Sequence, residues 1–400
     1  MHTYHAHPSR LKLDLADFKP TRWNTNKMIR VAQTSSIDAP RRSYIGKAAA
    51  TRVLGKPFFM TEYAHSNYSQ FTQEGGIMMG AYAALQDWDM MTPHSNILAL
   101  YYRPMGPDFE SPLSMTQRAG WMLTGFAWQR GDVAPSQHSI DLSIPETVTR
   151  SGNILGSIGP GHNLLFMIAR IGSSYDGKRR GDYRFSPTQF TGVTYHGLHV
   201  MQKDDPGVQG RELAGAVAEL RRVGILPPSN RTDVQTGIFE SDTGEIVADT
   251  KNHTLRVVTP RLESLVLKPG QRLAGNLLSV DSTSVPVTVS AVSIDGKEPL
   301  ASAKRLLLLV QTMSVAEHTV FRTENFDFVI DEGGFKVLER TGKFRITLKT
   351  SLTRAPKLYA LNPDGSRERE LPITFVDGKL SINLDTSKLE YGTPFFELVY

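Results

Sequence analysis

The spacing of apolar residues in the first third of the chain switches between the periods of helices and of strands. Apolar positions three or four residues apart indicate helices, and the short run that starts at Phe58, after Gly55 and Pro57, indicates a buried strand. The predicted elements, in order, are a helix over 44–54, a strand over 57–61, a helix over 74–85 and a strand over 86–91. Helix followed by strand, twice in succession, is typical of parallel β/α units.

The pattern changes further along the chain. A helix is predicted over 111–129, opened by Ser111 as N-cap and Pro112 at the first helical position. A strand over 139–144 and helices near 163–171 and 211–223 then lie among loops rich in glycine and proline. From about residue 232 short strands alternate with turn signals, which predicts one or two β-sandwiches. The domain boundaries predicted from these changes are 1–136, 137–231 (a linker or mixed α+β segment), 232–320 (a β-sandwich) and 321–400 (an Ig-like β-sandwich).

Composition excludes several classes of function. The chain has no cysteine, which removes disulfides, thiolate catalysis and cysteine-based zinc sites. The net charge of +5 comes without a long run of Lys and Arg, so we expect no nucleic-acid partner. No stretch reaches the roughly 20 apolar residues that span a bilayer, so we expect no membrane partner. Residues 1–8 lack the pattern of a signal peptide.

Two groups of polar residues leave alternatives open. The histidines His2, His5 and His7 around Tyr4 fit either a metal site or polar residues that line a pocket at a strand end. Glu62, at the carboxyl end of the predicted strand, is either a functional group or a solvated or salt-bridged glutamate. We expect no metal and no cofactor. The Arg-Gly-Asp sequence at 130–132 fits an adhesion motif or a glycine that ends a helix.

Four segments resemble the clan A (β/α)8-barrel retaining glycoside hydrolases, which include cellulases, mannanases and β-galactosidases. The sequence GKPFFMTEYAH at 55–65 resembles the seventh barrel strand, and YAALQDWD at 82–89 resembles the helix and eighth strand that follow. HTYHAHP at 2–8 is similar to the end of the sixth strand, and WQRGDVAP at 128–135 to the exit from the last helix. The segments 241–246 and 305–308 resemble accessory β-domains of large bacterial polysaccharide-degrading enzymes.

This resemblance implies an α/β plus all-β fold. Residues 1–136 would be the C-terminal part of an incomplete TIM barrel, strands six to eight, and β-sandwich domains would follow. Glu62 matches the nucleophile that forms a glycosyl-enzyme. The resemblance also implies substrate-binding residues: Tyr4 beside the nucleophile, Trp88 as a sugar-stacking platform, and His65, Asn67 and His94 along the pocket.

The chain departs from the family in its second carboxyl group. A retaining hydrolase uses two carboxyl groups, and in this clan the acid/base belongs to an Asn-Glu pair that the sequence lacks. Only 61 residues precede Glu62, whereas a whole barrel takes roughly 250. The sequence therefore predicts a fragment of a longer enzyme, a chain completed by an upstream polypeptide, or an inactive remnant, with no turnover alone. It would be secreted or periplasmic if the longer enzyme is exported.

Two rival hypotheses remain open at this level. One is a non-catalytic carbohydrate-binding or structural β-sandwich protein that carries a vestigial barrel piece. The other is an intact enzyme of another fold that uses Asp87 and Asp89, since alternate residues on a strand face the same side.

Overall fold

A computed structural model gives the architecture. It describes residues 2–5, 11–12, 29–31, 33–38, 40, 44–63, 65, 67–93, 113–144, 162–175, 178, 180–185, 206–334, 336–390 and 392–400.

The first part of the chain combines a parallel sheet with helices. Its elements, in order, are strands β1 (His2–His5), β2 (Leu11–Lys12) and β3 (Ile29–Val31), helix α1 (Tyr44–Thr51), strand β4 (Phe58–Tyr63), a 3-10 helix (Thr72–Glu74), helix α2 (Gly75–Leu85), strand β5 (Met90–Pro93), helix α3 (Met115–Thr124) and a π-helical turn (Gly125–Gln129). Strands β1, β4 and β5 form a three-stranded sheet in that order, and both pairings are parallel.

Helices α2 and α3 cross at very short range because small residues face each other. A Cβ atom on Gly76 would lie 2.3 Å from the Cα of Gly120, and one on Gly80 would lie 2.7 Å from the Cα of Thr124. Helix α2 has no charged residue and is buried along nearly its whole length, as expected for a helix that is apolar on all sides. The Oγ of Ser114 accepts a hydrogen bond from the Gln117 amide (3.1 Å) and caps α3.

A second parallel sheet follows. It contains β6 (Ser139–Ser143), β7 (Arg170–Ser174) and β8 (Tyr183–Phe185) in the order β7-β6-β8, with a 3-10 helix (His162–Met167) before β7 and helix α4 (Pro206–Arg222) after β8. Gln86, just after α2, ties this sheet to the first part. Its Nε2 donates to the carbonyls of Phe166 (2.9 Å) and Ala169 (2.7 Å), and its Oε1 accepts from the Ile171 amide (2.9 Å).

The rest of the chain consists largely of strands, most of which form a β-sandwich. The strands are β9 (Ile238–Glu240), β10 (Ile246–Asp249), β11 (Thr254–Val258), β12 (Leu262–Leu267), β13 (Leu273–Ala274), β14 (Leu278–Thr283), β15 (Val287–Ser293), β16 (Arg305–Gln311), β17 (Ser314–Ala316), β18 (Val320–Phe321), β19 (Phe328–Asp331), β20 (Val337–Glu339), β21 (Lys343–Lys349), β22 (Lys357–Leu361), β23 (Arg367–Leu371), β24 (Thr374–Val376), β25 (Lys379–Asp385) and β26 (Phe395–Val399).

Two antiparallel sheets enclose the sandwich core. One has nine strands in the order β23-β22-β26-β16-β15-β12-β11-β10-β9, and the other has five in the order β13-β14-β21-β25-β24. Strand β14 pairs with β21, and β16 pairs with β26. Strands on both sides of the predicted boundary at residues 320 and 321 therefore share both sheets and one apolar core. This corrects the prediction of two separate sandwich domains over 232–320 and 321–400.

The sandwich and the first part of the chain are packed against each other. One apolar cluster runs without a break from α1, β4 and α2 to residues of β10, β11 and β12. A smaller sheet joins the two parts through backbone pairing, in the order β18-β19-β3-β2. Beside it, the fully buried Tyr68 packs against Met313, Ala316 and Val329.

Most of the predicted elements have their counterparts in the structure. The helices predicted over 44–54 and 74–85 and the strand over 57–61 are confirmed as α1, α2 and β4, with small shifts of their ends. The helix predicted over 163–171 is wrong beyond Met167, because strand β7 begins at Arg170. The second strand begins at Met90 rather than at 86. Among the described residues, no helix combines the length and the hydropathy that crossing a bilayer requires.

Candidate active site

Glu62 lies in β4, the middle strand of the first parallel sheet, one residue before its carboxyl end. The pairing registers of both neighbouring strands shift at this level. Met60 pairs with Tyr4 on β1 and Glu62 pairs with the next residue, His5, so Thr61 is an extra residue on β4. On the other side, Met60 pairs with Met91 of β5 and Tyr63 pairs with Pro93. Between these two pairs β4 has two residues and β5 has one. Such a bulge bends a strand and redirects its side chains, and bulges are over-represented beside active sites.

The Glu62 side chain is only partly buried, although Phe58 and Met60 earlier on the same strand are fully buried. Thr61 and Glu62 are two successive partly buried residues, and the strand then reaches its carboxyl end at the buried Tyr63. In parallel α/β sheets this end is where ligands bind. Tyr4, the predicted partner of the nucleophile, lies on the adjacent strand β1 and pairs with Met60 just before the bulge. His94 lies outside the described residues.

His65 is buried two residues beyond β4. Its Nε2 is 3.1 Å from Ser36 Oγ and its Nδ1 is 3.3 Å from the Tyr44 hydroxyl. Burial lowers the pKa of His65 to about 4. The imidazole is therefore neutral at pH 7 and holds the end of β4 against the loop before α1. It is 8 % exposed, so its contact with a substrate is limited to a small cavity.

That cavity measures about 20 Å³, room for about one water molecule. Its wall is formed by the end of β4, the start of α2 and one side of α3, with the residues Tyr63, His65, Thr72, Gly75, Gly76, Thr116, Gln117, Gly120, Trp121 and Thr124. It is far smaller than the 300 Å³ or more of a typical ligand pocket. A sugar ring would not fit in it.

Asn67 does not line an open pocket, because it is fully buried. Gln117 on α3 donates from Nε2 to the backbone carbonyl of His65 (3.1 Å) and to Oδ1 of Asn67 (3.2 Å). The predicted substrate contact of Asn67 is therefore corrected. Asn67 and Gln117 fix the segment that follows β4, the strand that carries Glu62.

Trp88 is a core residue. It is 3 % exposed, and its ring packs against Phe58 with 5.0 Å between ring centroids. It also precedes β5, so it lies at the amino-terminal side of the sheet, whereas Glu62 lies at the carboxyl side. The predicted role of Trp88 as a sugar-stacking platform is therefore corrected.

The acidic pair Asp87 and Asp89 and the Arg-Gly-Asp sequence at 130–132 both make structural contacts. Asp89 accepts a hydrogen bond from the Phe58 amide (2.8 Å), and Asp87 pairs with Arg170 (2.6 Å). Both precede β5 and so lie at the opposite end of the sheet from Glu62. In the Arg-Gly-Asp sequence, the buried Asp132 side chain pairs with Arg130 and with Arg261 of the sandwich (2.8 Å). This arrangement explains the tripeptide as a structural contact and not as an adhesion motif.

Sequence reasoning missed a buried acidic group near the end of β4. Glu74, at the start of α2, is fully buried and accepts hydrogen bonds from Ser35 Oγ (2.8 Å) and from the Ser36 amide. Burial raises the pKa of Glu74 to about 7, in spite of these donors and of the nearby His253. The only signal in the sequence is one carboxylate directly before an uncharged helix.

Among the described residues, no three His, Asp or Glu side chains are arranged to hold a metal ion. Comparison of the chain with protein-family models, with curated proteins and with solved structures finds no match.

Proposed function

We propose that this chain supplies the nucleophile half of a retaining glycoside hydrolase site, with Glu62 as the nucleophile. The observation that carries the proposal is the position of Glu62. It lies near the carboxyl end of the middle one of three adjacent parallel strands, at a bulge that interrupts both pairings. In (β/α)8 barrels, catalytic groups occupy this end of the strands.

In this proposal β1, β4 and β5 are the last three strands of an incomplete TIM barrel. Their spatial order, β1-β4-β5, matches their order along the chain, as in a barrel. Helices α1 and α2 precede and follow β4, which gives the alternation of strand and helix that a barrel needs. The other strands would come from a polypeptide region outside these 400 residues.

The chemistry requires a second carboxyl group from that region. Glu62 would attack the anomeric carbon while a carboxylic acid protonates the leaving oxygen, and water would then hydrolyse the glycosyl-enzyme. The two carboxyl groups of a retaining enzyme lie about 5–5.5 Å apart. Glu74 does not meet this need, because its carboxylate is fully buried and bonded to Ser35 and Ser36. The substrate would be an oligosaccharide or polysaccharide.

Covalent trapping tests the proposal. The chain, joined to the region that completes the barrel, is incubated with 2-deoxy-2-fluoroglycosyl fluorides of the gluco, galacto and manno series. Fluoride leaves without protonation, and the 2-fluoro group slows hydrolysis, so a glycosyl-enzyme accumulates on the nucleophile. Peptide mass spectrometry then locates the sugar. A label on any residue other than Glu62 overturns the proposal.

A non-catalytic carbohydrate-binding protein is the second candidate. It is favoured by the size of the sandwich, which has fourteen strands in its two main sheets and its own apolar core. The same preparations separate the two hypotheses. Retention on immobilised polysaccharide without any covalent label, and unchanged by Glu62→Gln, would favour the binding protein.

A further inference from the structure

A buried imidazole lies between two carboxylates where the first part of the chain meets the sandwich. His253, in the turn between β10 and β11, has Nδ1 2.9 Å from Asp38 Oδ1 and Nε2 3.9 Å from Glu74 Oε2. His253 and Glu74 are both fully buried. Three separate segments therefore meet at this cluster: the loop before α1, the start of α2 and a sandwich turn.

Whether Nε2 of His253 and the carboxyl group of Glu74 attract each other depends on a proton. Nε2 is buried and has no hydrogen-bond partner among the described residues. A proton on either Nε2 or Glu74 lets these two atoms attract each other. Without it, a carboxylate faces a nitrogen lone pair in a site that excludes water, which is unfavourable. The Phe71 ring packs against the imidazole of His253, with 5.0 Å between ring centroids.

We propose that Asp38, His253 and Glu74 form a proton-dependent latch between the first part of the chain and the sandwich. The latch is closed at acidic pH, where Glu74 is protonated. It weakens towards neutral pH, where the ionised Glu74 is better solvated in an opened junction. Among the described residues, the titratable groups that face Glu74 are Asp38, Tyr44 and His253.

The direction follows from proton linkage. Burial raises the pKa of Glu74 from an ordinary 4.5 to about 7 in the closed state. Between these values the closed state binds more protons than the open state, so opening increases with pH over this window. Above about pH 7 both states have lost the proton, and the opening equilibrium no longer changes. The Asp38 side chain, at the other ring nitrogen of His253, is partly exposed.

Ser36 connects the latch by hydrogen bonds to the end of β4, the strand that carries Glu62. The Ser36 amide donates to Glu74 and the Ser36 hydroxyl bonds to His65, just beyond β4. Opening would release Ser36 from Glu74 and remove one support of the β4 end. The latch does not depend on the proposed hydrolase activity, because its test measures backbone exchange alone.

Amide hydrogen exchange tests the latch in the full chain. Mass spectrometry follows peptides covering 33–38, 71–76 and 250–255 at pH 5 and pH 7.5, with rates corrected by an unstructured reference peptide. We expect protection of these peptides to fall roughly fiftyfold. In Glu74→Gln, which keeps the hydrogen-bond acceptor but does not titrate, we expect protection to change less than twofold.

Two further variants keep the test decisive. His138→Gln alters another His–Asp pair, His138 with Asp242 (3.1 Å), and should leave the response of the three peptides unchanged. In His253→Asn the new residue tolerates the positive φ of +57° at this position. It removes a group that lowers the pKa of Glu74, so protection should continue to fall above pH 7. The latch would be overturned if protection in the wild type fell less than fivefold between pH 5 and pH 7.5. It would also be overturned if protection fell equally in Glu74→Gln.

Discussion

His65 illustrates how one buried side chain sets a pH dependence. Burial lowers the pKa of His65 to about 4, below its ordinary 6.5. The unfolded chain therefore binds more protons between these values, and folding stability falls as pH drops from 6.5 towards 4, by roughly 3 kcal/mol from this residue. Urea unfolding measures the free energy of unfolding at pH 6.5 and at pH 4. The decrease in this free energy between the two pH values should be smaller in His65→Gln than in the wild type, by the contribution assigned to His65. An equal loss in both proteins would contradict the neutral, buried imidazole.

At the residue scale, local pattern predicted Glu62 but not its surroundings. An apolar run after a proline predicts a strand, and the first carboxylate after that run lies near its end wherever the strand packs. Glu74 acquires its character from Ser35, Ser36 and His253, the last of which is far away in sequence. No local pattern specifies such contacts. The same reason explains Trp88, whose place in the core is set by packing against Phe58.

At the element scale, the crossing of α2 and α3 requires glycine. A Cβ on Gly76 would overlap backbone atoms of Gly120, which cannot move aside like a flexible side chain. We expect Gly76→Ala to lower the free energy of unfolding by about 1–3 kcal/mol. Gly125→Ala is the matched control, because its Cβ would meet nothing within 4 Å, and it should be neutral or slightly stabilising. Equal effects of the two substitutions in urea unfolding would contradict the close crossing.

Element type was easier to predict than register. The charge-free stretch after Glu74 predicts a buried helix, and α2 confirms it. The bulge at Thr61 depends on how β1 and β5 pair with β4, and these partners lie far apart in the sequence. The helix predicted over 163–171 failed for a related reason. An apolar stretch of that length fits a helix or a strand, and pairing of Arg170–Ser174 with β6 selected the strand.

At the scale of the whole molecule, the first parallel sheet has two edge strands. Among the described residues, β1 and β5 pair only with β4. Free edges with apolar residues favour association. We expect the isolated chain to associate in sedimentation velocity as concentration rises. Met90→Lys, at the exposed residue of strand β5, should reduce this association. Met122→Lys, which alters a similarly exposed methionine on helix α3 and not on a strand, is the control and should change little. A monodisperse wild-type monomer would contradict this expectation.

The sandwich shows why domain boundaries were harder to predict than strands. Turn signals and alternation predicted many short strands after residue 232, and the structure confirms a β-sandwich there. The boundary at 320 was wrong because β26 returns to pair with β16, and β21 returns to pair with β14. These pairings join distant segments, and turn chemistry between neighbouring strands does not specify them.

The assignment of Glu62 as the nucleophile depends on where the trapped sugar is attached in the completed protein. We predict one fluoroglycosyl group per chain, on the peptide that contains Glu62. The label should be absent in Glu62→Gln and unchanged in Glu298→Gln, which alters an exposed glutamate of the sandwich. A label that persists in Glu62→Gln, or that maps to another carboxylate, would contradict the assignment of Glu62 as the nucleophile.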